Sequence, residues 1–250
     1  MHDLQLISLV EVGPRDGLQS EEVLFSTQGK LDFIACLLRA GLRRIQVTSF
    51  VNPRLVPQMA DAEQLIQSLP DLEGVEYSAL VLNRTGLERA LATAVDCIEI
   101  SVSASTTHSQ KNTKMSRQQA LTQAQEMIGQ AKQKGYAVRG SVQCAFGCVY
   151  EGAIDPDVVS DTARILVQAG VDSLALADTT GMGHPLLIRD MVGRIREISS
   201  QIQLALHLHD TLGLGLVNLV TALESGVRCF DTSCGGLGGC PFVPGAAGNI

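Results

Sequence analysis

Short runs of β-branched and other apolar residues recur along the chain, each ending in Gly, Asp, Ser or Thr. Between them lie longer stretches whose apolar positions return every three or four residues. The short runs fall near 6–12, 43–49, 75–82, 97–103, 138–145, 173–177, 202–208 and 228–233 and predict eight strands. The longer stretches, near 28–41, 61–69, 84–94, 117–135, 156–170, 185–199 and 213–226, predict seven helices. Several close on glycine at the expected position, as in Ala40-Gly41, Lys134-Gly135, Ala169-Gly170 and Ser225-Gly226. Strict alternation of the two patterns predicts a parallel sheet with right-handed crossovers, and eight units in 250 residues predict a closed (β/α)8 TIM barrel filling 1–250 as one domain. The pattern reaches Ile250 without its eighth helix, and Asn249, so near the last residue, is expected to fray.

Composition narrows the class. A hydrophobic content of 45% suffices for one large core. With 19 basic against 26 acidic residues and a net charge of −7, nothing favours nucleic acid or an anionic membrane as partner. Seven scattered cysteines without a charged-then-apolar leader read as reduced thiols in a cytoplasm. Cys144 and Cys148, four apart, match poorly the short spacer of zinc knuckles or redox pairs. No apolar run approaches the roughly twenty residues that span a bilayer.

Barrel enzymes carry their chemistry at the C-terminal ends of the strands, and polar candidates fall there repeatedly. Arg15 and Asp16 follow strand 1, Thr48 and Ser49 end strand 2, Asp178 and Thr179 end strand 6, His207 and His209 end strand 7, and Cys240 and Asn249 follow strand 8. Side chains two apart on a strand share a face, so His207 and His209 can turn toward one ion. Strand 1 lies beside strand 8 and one strand from strand 7, which brings the Asp16 carboxylate within reach of both imidazoles. The Asn249 amide oxygen could complete a mixed N/O set, a donor chemistry that favours Mg²⁺ or Mn²⁺ and leaves zinc open.

Each candidate has a plainer reading. His207 could be a satisfied core histidine, Arg15 a partner of Glu11, and Asp178 an Asx-type anchor for its own turn. Cys240 could be a free surface thiol, but six of the fourteen residues from Gly235 to Gly248 are glycine, as a loop that closes over substrate would need. A thiol on such a loop can deliver a proton. The segment from His108 to Lys114, with Lys111, Asn112 and Lys114, is the best local phosphate site in an acidic chain, although a solvated loop charge cluster has the same composition.

Taken in order, Glu11-Val-Gly-Pro-Arg-Asp-Gly-Leu-Gln19, Val47-Thr-Ser-Phe-Val51, Val56-Pro-Gln-Met-Ala-Asp61, Gly147-Cys-Val-Tyr-Glu-Gly152, Asp178-Thr-Thr-Gly181, His207-Leu-His-Asp-Thr211 and Gly236-Leu-Gly-Gly-Cys-Pro-Phe242 resemble the landmarks of the 3-hydroxy-3-methylglutaryl-CoA lyase family. That family lies within a wider group of metal-dependent barrel lyases and Claisen-type synthases. The resemblance implies Asp16, His207, His209 and Asn249 as ligands of a divalent metal, Arg15 as stabiliser of an enolate oxygen and Cys240 as loop acid/base. It implies cleavage of a CoA thioester carrying a β-tertiary alcohol, with acetoacetate and acetyl-CoA as products. His207, Asp178 and a water are all open as the group that takes the alcohol proton. The substrate is expected against Arg15, Gln19, Gln46, Ser49, Thr179, Lys111 and Asn112, and a homodimer is left open.

One departure stands out. Where the family's second strand typically reads Glu-Val-Thr-Ser-Phe, this chain has Gln46-Val47-Thr48-Ser49-Phe50, which keeps an acceptor oxygen but loses a charge and a titrating proton. Gln46 and the ending at Ile250 leave room for a member that binds CoA esters with little turnover. A synthase joining acetyl-CoA to a 2-oxo acid would share the arginine, aspartate and histidines, and the cysteine loop argues against it. A zinc hydrolase lacks a further ligand set or a base at the usual spacing.

Overall fold

In the computed structural model, which describes residues 6–239 and 247–250, eight parallel strands close into a barrel in sequential order. They are β1 (Ser8–Glu11), β2 (Arg44–Ser49), β3 (Glu76–Val81), β4 (Cys97–Ser103), β5 (Ala137–Gln143), β6 (Ser173–Asp178), β7 (Gln203–Leu208) and β8 (Cys229–Thr232). The helices are α1 (Thr27–Arg39), α2 (Ala62–Gln67), α3 (Arg84–Ala90), α4 (Thr106–Thr113), α5 (Arg117–Gln133), α6 (Pro156–Gln168), α7 (Pro185–Ile198) and α8 (Gly215–Glu224). Among the described residues no α-helix follows β8, only a 3₁₀ turn at Cys234–Gly236.

Local chemistry explains the boundaries. α6 opens on the Asp155 side chain, which accepts from the Asp157 N–H at 2.9 Å, with Pro156 at the first helical position, where its missing N–H costs nothing. Val159, Ala163 and Leu166 then return on one face and are buried against the sheet. α1 and α6 end where Gly41 and Gly170 take φ of 97° and 99°, a left-handed geometry that side-chain-bearing residues avoid. β5 stops at Gln143 rather than at 145 because Cys144 turns to φ 54°.

Two sequence expectations are overturned. Lys111 and Asn112 lie on the eight-residue helix α4, not in a loop. Ser105 caps it by accepting from His108 N–H at 3.0 Å, but its almost wholly polar sequence carries no apolar period. Asn249 does not fray. His209 and Asn249 form an antiparallel bridge made by Ile250 N–H to Leu208 O at 3.2 Å and Asp210 N–H to Gly248 O at 3.3 Å, and Ser233 N–H donates to Ile250 O at 3.1 Å, so three backbone hydrogen bonds tie this segment between β7 and β8.

The main core lies between strands and helices. A second apolar cluster, Val10, Val12, Ala175, Ala205 and Cys229, fills part of the barrel interior. Ala205 and His207 are two apart on β7, as are Cys229 and Asp231 on β8, so the polar side chains share the interior face above this apolar layer.

Candidate active site

The β1 strand runs directly into a five-residue π-helical turn, Gly13–Gly17, which presents Arg15 and Asp16 at the barrel mouth. The turn is closely packed: a Cβ built on Gly17 would lie 2.8 Å from Leu237 Cβ, so the loop after β8 sets the position of Asp16. Arg15 Nη1 donates to Asp16 Oδ1 at 2.5 Å, leaving Oδ2 without a hydrogen-bond partner although it is buried.

That free oxygen faces two imidazoles. Asp16 Oδ2 lies 3.7 Å from His207 Nε2 and 3.8 Å from His209 Nε2, and the two Nε2 atoms are 3.1 Å apart. Their outer nitrogens are already engaged. His207 Nδ1 donates to Asp231 Oδ2 at 3.0 Å, and His209 Nδ1 to the Ala247 carbonyl at 2.8 Å. A neutral imidazole has one N–H, so donation from Nδ1 places a lone pair on each Nε2. Two such lone pairs and a carboxylate oxygen, buried and converging, are the donor set of a divalent metal, with the outer nitrogens held as metal-ligating imidazoles hold theirs. The residues therefore fit a divalent metal, and Asp16, His207 and His209 have donor atoms all within 4.8 Å of one another. Asn249 stands beside them, its amide nitrogen 3.0 Å from His207 Nε2 and its buried Oδ1 unpartnered.

Protonation states agree with this use. Burial raises the Asp16 carboxyl, but its charged neighbours, the Arg15 guanidinium first, outweigh it and hold the group below the usual carboxylate range. Burial, then the neighbouring His207, holds His209 below the usual histidine range, so it is neutral and able to ligate.

Beneath the three donors runs a buried polar ring in which Gln46 joins three residues that motif reading missed, Glu99, Arg139 and Asp231. Asp231 accepts from Arg139 Nη2 at 2.8 Å through each oxygen, and Arg139 Nε lies 3.4 Å from Glu99 Oε2. Glu99 Oε2 in turn accepts from Gln46 Nε2 at 2.9 Å, and Gln46 Oε1 accepts from Arg15 Nε. Glu99 and Arg139 are register partners on β4 and β5, as are His207 and Asp231 on β7 and β8. The available signal was a charged residue on the inward phase of an otherwise apolar strand, as in Cys97-Ile-Glu-Ile-Ser101.

Above the ring opens a cavity of about 650 Å³, lined among others by Arg15, Asp16, Gln19, Lys111, Asn112, Thr179, His207 and His209. Ser49 and Gln46 stand behind this wall: Ser49 Oγ donates to Gln19 Oε1 at 3.1 Å, and Gln46 supports Arg15. Thr179 Oγ1 accepts from Cys144 N–H at 2.9 Å. Lys111 Nζ sits 4.6 Å from the centre of the Tyr150 ring, and Asn112 Nδ2 is 3.4 Å from Gln143 Oε1. Asp178 is outside the lining. Its Oδ2 accepts from Gly183 N–H at 3.0 Å, anchoring the turn after β6, while burial pushes its carboxyl up to about 6. Cys240 lies outside the described residues.

The HMGL-like family model matches residues 6–250. A cytoplasmic 3-hydroxy-3-methylglutaryl-CoA lyase from Rattus norvegicus is 40% identical over 98% of this chain and 72% of its own length, and a hydroxymethylglutaryl-CoA lyase from Bacillus subtilis is 38% identical over 97% and 81%. Among solved structures, an HMG-CoA lyase from Acinetobacter baumannii in complex with coenzyme A and 3-methylmalate superimposes with a TM-score of 0.94 at 38% identity, covering 98% of this chain and 80% of that one. No helix among the described residues is long and apolar enough to cross a membrane. Barrel topology, buried Asp-His-His cluster and likeness over nearly the whole chain agree, and the chain belongs to the HMGL-like family.

Proposed function

We propose that this protein cleaves 3-hydroxy-3-methylglutaryl-CoA to acetoacetate and acetyl-CoA, using Mg²⁺ or Mn²⁺ held by Asp16, His207, His209 and Asn249. The observation that carries this reading is the convergence of Asp16 Oδ2 and two lone-pair-bearing Nε2 atoms beside the Arg15 guanidinium at the mouth of a 650 Å³ cavity. A bound cation supplies positive charge that makes the substrate's tertiary hydroxyl more acidic. Arg15, pinned by Asp16 and Gln46, places a permanent charge where the thioester oxygen becomes an enolate as the carbon–carbon bond breaks. The hydroxyl proton passes to a base, for which His207, Asp178 and a water are the candidates, the electron pair of the carbon–carbon bond passes into the enolate, and the hydroxyl carbon becomes the ketone of acetoacetate. Cys240 then returns a proton to the enolate carbon, giving the acetyl thioester.

Lys111 and Lys114, both lining the cavity, meet the phosphates of the CoA moiety. Gln19 and Thr179 line the same cavity, and Asp178 steadies the turn after β6. A reducing cytoplasm suits the chain, since the six described cysteines are all free thiols. The test is direct: purified protein with Mn²⁺ or Mg²⁺ and hydroxymethylglutaryl-CoA should release acetoacetate. Absence of product from protein shown by titration to be metal-loaded would sink the assignment.

A further inference from the structure

Glu99 lies inside the barrel, buried, at the wall of the cavity, and stands two contacts from Arg15. Its Oε2 is held between Arg139 Nε at 3.4 Å and Gln46 Nε2 at 2.9 Å. The far end of the Gln46 side chain, Oε1, meets Arg15 Nε. An amide has one accepting and one donating end, a guanidinium only donates, and an ionised carboxylate only accepts. The Gln46 side chain therefore satisfies both neighbours in a single orientation. Without a carboxylate at 99, the amide could turn its NH₂ toward Arg15, two donors would oppose, and the guanidinium would lose its aim.

We propose that Glu99 is a positioning residue for the reaction: its carboxylate, fixed by Arg139, locks the Gln46 amide with its carbonyl oxygen on Arg15 Nε and so directs the Arg15 guanidinium into the cavity. What the ring requires is one carboxylate between two guanidinium groups, on either β2 or β4. In the exchange Gln46→Glu with Glu99→Gln, the carboxylate introduced on β2 accepts from Arg15 Nε and from the amide NH₂ introduced on β4, and the oxygen of that amide faces Arg139 in place of the ion-paired carboxylate. Both hydrogen bonds survive and the net charge is unchanged.

The inference uses the lyase reading for its kinetic readout, and a second readout stands apart from it. Glu99→Gln should lower kcat about tenfold and change KM less than about threefold, because Arg15 acts on charge that develops only as the bond breaks. Gln46→Glu alone sets two carboxylates against each other and should lower kcat comparably. The double exchange should return kcat to within about threefold of the parent. In parallel, the Arg15 Nε–H resonance, assigned by its loss in Arg15→Lys, should shift or broaden in Glu99→Gln and recover in the exchange. A purely structural Glu99 would lower thermal stability and leave kcat per folded molecule and that resonance unmoved. Failure of the lyase reading appears as a parent without activity, and the resonance still decides this point. An unchanged resonance in Glu99→Gln, or a folded double exchange that restores neither readout, overturns the proposal; if the exchange does not fold, Glu99→Gln alone decides by the same resonance.

Discussion

Replacing Asp231 by Asn tests whether the metal site is set up from below. Asp231 Oδ2 accepts both from His207 Nδ1 at 3.0 Å and from Arg139 Nη2 at 2.8 Å, and Oδ1 accepts from the same Arg139 nitrogen at 2.8 Å. Burial opposes its charge, but Arg139 and then His207 overcome that and hold the carboxyl well below the usual range, so it is ionised at neutral pH. Asparagine has the same shape with one accepting end. If its oxygen faces His207, its NH₂ opposes Arg139. If it turns over, the NH₂ faces His207 Nδ1, which must then accept, and the imidazole proton moves to Nε2, the nitrogen that faces the metal site. Either arrangement damages an interaction, and the second converts His207 to the non-ligating tautomer. Loss of such a supporting partner weakens metal binding by about 10- to 100-fold, or roughly 1.4–2.7 kcal/mol. Uncompensated burial of the Arg139 charge costs up to about 3–5 kcal/mol of folding stability, moderated by Glu99 on its other side. Calorimetric titration of the chelator-stripped variant with Mn²⁺, beside thermal melts in EDTA, measures the two effects separately. A folded Asp231→Asn protein binding Mn²⁺ within twofold of the parent would refute the argument.

Three further outcomes are expected. Burial raises Asp178 to about 6 against the Gly183 N–H bond, so its contribution to stability is fully present below the ordinary 3.8 and lost as pH rises through about 6; Asp178→Asn escapes that loss. In EDTA the difference in unfolding free energy should move in the variant's favour by up to about 3 kcal/mol between those limits, and urea titrations giving a pH-independent difference would contradict it. Gly17→Ala would force its Cβ against Leu237 Cβ, 2.8 Å away, and should cost about 1–3 kcal/mol and weaken metal binding by displacing Asp16, as read by melts and titration. Lys111→Ala removes a cavity-lining charge assigned to the CoA phosphates and should raise KM for the CoA ester about fivefold with kcat little changed, in steady-state kinetics.

Much of the molecule was legible in the one-dimensional pattern. All eight strands appear within a few residues of the positions that periodicity marks, because burial on both faces of a parallel sheet leaves a local apolar run, and the glycines after α1 and α6 carry the expected left-handed backbone. Helix α4 escaped because its capping serine precedes residues with no apolar face. His207 and His209 could be paired from their two-residue spacing alone, and Asp16 could be brought to them once the strands were closed into a barrel, since strand order fixes which rim positions are neighbours.

Tertiary structure alone decided what lies beneath them. Arg139 and Asp231 are 92 residues apart and three strands apart around the barrel, and no local period says which inward side chains meet across the interior. That depends on how far each side chain reaches into a closed space, so the ring from Arg15 through Gln46, Glu99, Arg139 and Asp231 to His207 could not be read from spacing. The hold on Asn249 was equally hidden, because it rests on backbone hydrogen bonds to β7 and to the residue after β8, and backbone groups are alike in every sequence. Residue types and rim positions are local properties that the chain writes in order; tautomers, the aim of the Arg15 guanidinium and a carboxylate oxygen left free for a cation arise only from contacts that barrel closure creates.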